Sequence, residues 1–174
     1  MVMNEIYRNI KTRRSVRRFK SEMPSKDSID RIIEAGLCAA NGKNRQGAII
    51  IAVTDKEVRD RLAKVNAEII GASIDLFYNA PVVLVVLAKK EIPTYVYDGS
   101  LVMGNLMLAA HAEGLGSCWI HRAKETFEKD EWKEWLASVG VEGEYEGIGN
   151  CVVGYIDGEY PADIPRQQGR VFYV

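Results

Sequence analysis

Residues 82–87 read Val-Val-Leu-Val-Val-Leu, six apolar positions with no polar interruption. Such a run predicts a strand over 81–88 that is buried on both faces. Ala48 to Val53 is rich in β-branched residues and predicts a second strand. Ser117 to Ile120 predicts a short one and Asn150 to Ile156 the last. Between them the period changes. Behind Ser25, a helix cap, Ile29, Ile32, Ile33, Gly36, Leu37 and Ala40 recur at helical spacing over about four turns. Residues 3–11 predict a short helix, and 56–79 a long one with a bend at Gly71. Thr94 to Asp98 reads as a loop. Gly99 to Glu113 reads as a helix of roughly 22 Å, apolar on nearly every side, so its outer face needs cover from this chain or a partner subunit. Gly114-Leu115-Gly116 stops it. Residues 124–139 form a helix with Phe127, Trp132, Trp135 and Leu136 on one face, and the tail from Gly158 is irregular. Helices on both sides of one mixed sheet, three layers in one domain, accommodate this order.

Charge changes the picture at one place. Arg8 to Lys20 carries seven cations and no acid. The whole chain of 174 residues has 23 Lys+Arg against 24 Asp+Glu, so the remainder is strongly acidic. A compact positive field on an acidic protein calls for an anion. Arg13-Arg14-Ser15-Val16-Arg17-Arg18-Phe19 offers planar guanidinium forks and a hydroxyl, the donors that suit a phosphate. A solvated basic helix end and a nucleic-acid surface are the competing readings. The cluster is too compact, and the pI near 6.2 too low, to favour a polymer over a small anion.

The remaining candidate chemistry is sparse. Ala40-Asn41-Gly42-Lys43-Asn44-Arg45-Gln46 is a helix end with turn residues, and its amides offer both donors and acceptors to a heterocycle edge. Gly114-Leu115-Gly116 lacks a third glycine and precedes a strand, so it is not a dinucleotide fingerprint. Cys38, Cys118 and Cys151 are odd in number and widely spaced, which points to reduced thiols and a cytoplasmic protein. Cys118 sits in an apolar strand away from a base and is not a nucleophile. His111 and His121 have no partners at ligand spacing, so no metal is expected. No apolar run reaches eighteen residues, and the N-terminus lacks the apolar stretch of a secretory signal, so no membrane span is expected.

Taken together, several segments resemble the nitroreductase family of flavin enzymes, over nearly the whole chain. They are Arg13 to Phe19, the Ala39-Ala40-Asn41-Gly42-Lys43-Asn44-Arg45-Gln46 turn, Asn79-Ala80-Pro81 before an apolar strand, Gly114 to Ile120, and Gly154-Tyr155 with Tyr160-Pro161 and Pro165-Arg166. The resemblance implies an α+β, three-layer α/β sandwich with a mixed, mostly antiparallel central sheet flanked by helices. It implies a homodimer with FMN at the interface. Arg13, Arg14, Ser15, Arg166 and Arg170 would lie at the FMN phosphate. Arg17 would stand near the pyrimidine ring, where its charge stabilises the anionic reduced flavin. Ala40, Asn41, Gly42 and Asn44 would lie along the ring system, Asn66 at its edge, and Ile120, His121 and Arg122 beside its reactive face.

The implied activity passes electrons from NADH or NADPH through FMN, in ping-pong fashion, to an electron-poor acceptor such as a nitroaromatic or quinone. No residue is nominated as a catalytic acid or base. A flavin-binding protein without turnover and an anion- or nucleic-acid-binding module are the alternatives. Two departures stand out. Gln46-Gly47-Ala48 replaces the family's Gln-Pro-aromatic turn, and His121-Arg122 stands where many members have glycine or an acid.

Overall fold

The computed structural model of the chain describes residues 4–174. The expected start of the first helix at residue 3 lies outside the described residues. Strand β2 (Val82–Lys89) runs up the middle of a four-stranded sheet, and Val82 to Ala88 have no exposed surface. β1 (Ala48–Val53) flanks it on one side and β4 (Tyr145–Gly154) on the other, with β3 (Gly116–Ile120) at the far edge. All three pairings are antiparallel. A parallel bridge, Ser15 to Ser117, adds the N-terminal segment to the β3 edge.

A sheet buried on both faces must be covered on both. One face packs on α3 (Lys56–Ile69), α5 (Ala123–Phe127) and α6 (Asp130–Ser138), with Leu62, Phe77, Phe127 and Trp132 at its centre. The other packs on α2 (Lys26–Leu37) and α4 (Tyr95–Ala112) through Ile32, Met103 and Leu106. The three-layer, mostly antiparallel sandwich is thus the fold of this chain. Helix α1 (Glu5–Thr12) lies outside these layers and buries none of its residues.

Side-chain capping explains the starts of α1, α2 and α3. Asn4 accepts from the Ile6 amide, Ser25 from Ser28 and Asp55 from Val58, each satisfying an otherwise orphaned donor. Three helix boundaries differ from expectation. α3 stops at Ile69, ten residues early. Gly71 turns left-handed (φ 68°) and Asp75 then captures the Phe77 and Asn79 amides at 2.7 and 2.8 Å, competing with the helix for its donors. α4 begins at Tyr95, so the expected loop 94–98 is its first turn. Residues 124–139 form two helices, α5 and α6, because Lys129 is extended.

β4 begins at Tyr145, five residues before its expected start. Gly147 and Gly149 look like loop residues, but each answers a close approach. A Cβ on Gly147 would fall inside contact with the backbone carbonyl of Ala123, and one on Gly149 inside contact with the Trp119 indole. Gly147 also sits at the register shift between β2 and β4. α5 therefore rests directly on the sheet backbone. Gly147→Ala should destabilise the fold by about 1–3 kcal/mol, as overpacking against rigid backbone does. Urea unfolding checks this, and an unchanged midpoint contradicts the packing described.

Candidate functional site: an arginine-lined sheet edge

The N-terminal segment leaves α1 at Arg13 and runs extended beside β3, where the Val16 amide donates to Ser117 O at 2.9 Å. Extended backbone alternates its side chains. Arg14 and Val16 are buried, while Arg13, Ser15 and Arg17 are more exposed. Arg14 is 9 % exposed. Its Nη1 donates to Lys11 O and Arg13 O at 2.7 and 2.8 Å, and its Nη2 to the Asp163 carboxylate. Its own amide donates to Tyr160 Oη at 2.7 Å. Arg14 thus holds the C-terminal tail against the N-terminal segment, and both terminal nitrogens of its guanidinium are engaged, while its Nε is buried without a partner among the described residues.

Tyr160 continues the network. Its ring stacks on His111, centroids 5.5 Å apart. Its hydroxyl, already accepting from Arg14, donates to His111 Nδ1 at 3.3 Å. His111 Nε2 then donates to Thr12 Oγ1 at 2.8 Å, which donates to Arg8 O at 2.7 Å. This chain of donations needs a neutral imidazole. Burial, then Arg13 and Arg14, push His111 below its ordinary value of 6.5, which favours that form.

The arginines divide into two groups. Arg8, Arg14, Arg18, Arg31, Arg59, Arg61 and Arg122 each have a carboxylate partner. Arg13, Arg17, Arg45, Arg166 and Arg170 pair with none among the described residues. Arg13 is the most telling of these, because its Nη1 is buried with no hydrogen-bond partner at all. A buried guanidinium nitrogen left open is costly, and an anion placed there removes the cost. Arg166 and Arg170 lie on the exposed tail beyond Asp163.

The second component leaves the end of β3. Asn66 of α3 is 1 % exposed and donates through Nδ2 to His121 O at 2.7 Å. That bond fixes the segment after Ile120. The next residue, Arg122, is left-handed (φ 76°) and precedes α5, where its Nη1 meets Glu125 Oε1 at 2.7 Å. The left-handed backbone costs an L-residue about 1–2 kcal/mol. An exposed ion pair returns at most about 1 kcal/mol.

The third component is the 40–46 turn. Lys43, Asn44 and Gln46 all have positive φ, between 49 and 54°. Two features hold this conformation. Asn41 Oδ1 accepts from the Gln46 amide at 3.0 Å. Asp98, 5 % exposed, accepts from the Gly42 amide at 3.0 Å and from Thr94 Oγ1 at 2.8 Å. Ala40 and Asn44 are exposed; Asn41 and Gly42 are half-buried.

Within this single chain these components do not all converge. Arg13, Ser15, Arg17, Asn66, Ile120, His121 and Arg122 are linked through β3. The 40–46 turn feeds β1, whose Ala48 pairs with Ala88, whereas Ser117 pairs with Val153, itself opposite Val82. The turn therefore lies at the other edge of the sheet, and at the end opposite Arg13 and Ser15, while the 120–122 segment runs toward the turn's end, where Ala123 sits over Gly147 opposite Leu87. Asp98, His111, Asp163 and Glu125 were not legible as site residues in the sequence. A lone acid in the first turn of an apolar helix was the only signal for Asp98.

This is an α+β sandwich with unpaired arginines on the segment that runs beside its edge strand. A model of the nitroreductase family matches residues 10–75 and 71–155, and the chain belongs to that family. It is 30 % identical over 119 residues, 66 % of this chain, to a protein of Methanothermobacter thermautotrophicus named as an NADH dehydrogenase/NAD(P)H nitroreductase. It is 31 % identical over 123 residues, 68 % of this chain, to a protein of the same name from Archaeoglobus fulgidus. The matches span 60 % and 68 % of those relatives' lengths. A nitroreductase with bound FMN from Bacteroides fragilis shares the fold with a TM-score of 0.88 and 26 % identity, over 99 % of this chain and 100 % of that one.

The thiols stand apart from this site. Cys38 is exposed, and Cys118 and Cys151 are buried. Burial raises both buried thiols, Cys151 to about 12 from 9.0. At pH 8 one thiol, Cys38, should react with a disulfide reagent in the native protein, and all three after denaturation. The fold favours neutral Cys151, so the unfolded chain releases that proton first as pH rises. This contribution to stability should hold below pH 9 and fall between about 9 and 12. Rapid native reaction of three thiols at pH 8 contradicts the assignment.

Proposed function

We propose that the protein is an FMN-dependent oxidoreductase. It takes hydride from NADH or NADPH and passes the electron pair, in ping-pong order, to an electron-poor acceptor such as a nitroaromatic or a quinone. One observation carries the reading: half-buried Arg13 has a guanidinium nitrogen shut off from solvent with no partner and no acid beside it among the described residues, whereas the buried arginines, Arg14 and Arg59, have acids. The FMN bound by the Bacteroides fragilis structure and the names of the curated relatives support it.

In this reading Arg13 and Ser15 hold the phosphate, with Arg166 and Arg170 supplied by the tail. Arg14 anchors the tail by gripping Asp163 and Tyr160. Arg17 places an unpaired charge beside the ring system. Asn66 fixes the 120–122 segment through the His121 carbonyl, and Asp98 fixes the 40–46 turn. FMN, when bound, supplies the redox chemistry; the chain's share is position and charge.

The working unit is a homodimer. The 40–46 turn and the arginine segment occupy opposite edges of the sheet, so a second copy is what brings both to one flavin. Ile6, Tyr7 and Ile10 of α1, Val96, Tyr97 and Leu101 of α4, and Val171, Phe172 and Tyr173 of the tail are exposed apolar residues, surface of the kind a partner covers. Three free thiols fit a reducing, cytoplasmic setting.

The purified protein should be yellow, or become so with added FMN, and lose its oxidised flavin absorption on anaerobic mixing with NADH or NADPH. A colourless protein that takes up no FMN refutes the proposal. Flavin that stays oxidised leaves a binding protein without turnover. Arg13→Ala should weaken FMN binding by about 1.5–3 kcal/mol, on the order of 10- to 100-fold in Kd. Fluorescence titration measures this, and unchanged affinity moves the phosphate elsewhere.

A further inference from the structure

Residue 122 narrows the choice of acceptor. A glycine at its left-handed backbone (φ 76°) would carry no strain, and the exposed pair with Glu125 returns less than that strain takes. Stability therefore does not account for a guanidinium at this position.

Its placement does. Arg122 is two residues past the end of β3 and follows the residue whose carbonyl Asn66 holds at 2.7 Å. Glu125 engages one nitrogen, Nη1, and the other donors of the fork have no recorded partner among the described residues. The neighbouring cation, Lys124, is turned to Glu146 at 2.9 Å. His121 is exposed beside Arg122. On the same edge Arg13 and Arg17 bring further positive charge, enough to act on the buried Cys118 thiol. Among the described residues Glu125 is the one carboxylate paired with this group.

We propose that Arg122, with His121 beside it, selects an acceptor bearing a carboxylate or sulfonate on its electron-poor ring over the neutral isostere. A guanidinium fork with open donors makes short, charge-assisted bonds to such a group. The inference rests on the flavin reading above, which puts the 120–122 segment beside the ring system.

The test uses the FMN-loaded protein and two probes of the same shape, para-nitrobenzoate and para-nitrobenzamide. Calorimetry gives the Kd of each for the oxidised protein, and steady-state assays give kcat/KM with NADH saturating. The wild type should favour the benzoate in both measurements. Arg122→Gly should lower that preference on the order of tenfold. Arg122→Lys should retain part of it, and Glu125→Gln should raise it by freeing the fork. Thermal melts confirm that each variant is folded. A protein that carries FMN but binds both probes alike, or keeps its preference in Arg122→Gly, overturns the inference and leaves the flavin reading standing. A protein that takes up no FMN overturns both.

Discussion

A guanidinium at 9 % exposure must be surrounded by acceptors or it cannot stay in the fold. Arg14 meets that demand with two carbonyls of its own segment and with Asp163, 149 residues away in sequence. The remaining site follows from this. The N-terminal segment is held flat against β3, its alternate residues Arg13, Ser15 and Arg17 face the other way, and the tail is pinned beside them through Tyr160. Two arginines adjacent in sequence therefore have opposite duties. One has its charge neutralised internally by Asp163, and the other has no acid among the described residues and keeps a terminal nitrogen open.

The parts of the fold that were legible in the sequence are those fixed by local pattern. Ala48 to Val53 and the run to Ala88 announce themselves by unbroken apolar, β-branched character. Ser25 announces its helix by the capping geometry of a hydroxyl. The misread boundaries are set by partners distant in the chain. Gly147 and Gly149 resemble a loop until Ala123 and Trp119 are seen packed against them. Thr94 to Asp98 resembles a loop until Asp98 is seen holding Gly42. Gly71 signals a bend, but it ends the helix: left-handed, it lets the Gly71 and Ala72 amides turn back to Glu68 O and Ala67 O, and Asp75, gripping Arg59 and two amides, shapes the chain beyond.

The site was legible in a similar way. The arginine run is visible as a charge anomaly, yet its members are equivalent in sequence. Only the ion pairs distinguish Arg14 and Arg18, each tied to an aspartate of the C-terminal segment, from Arg13 and Arg17. Asn66, at the edge of the resemblance, turns out to be a buried tether on the His121 carbonyl. The turn at 40–46 is recognisable by its amides, but its separation from the arginine edge depends on strand order, which no local pattern encodes.

That turn has a further consequence. Three of the four residues from Lys43 to Gln46 are in left-handed backbone, and one carboxylate from α4 and one side-chain amide lock the turn that holds them. The shape is set before anything arrives, so association forfeits little chain freedom there. Differences in affinity between relatives that share this lock should then arise from how long a guest stays, while the speed of its arrival varies little.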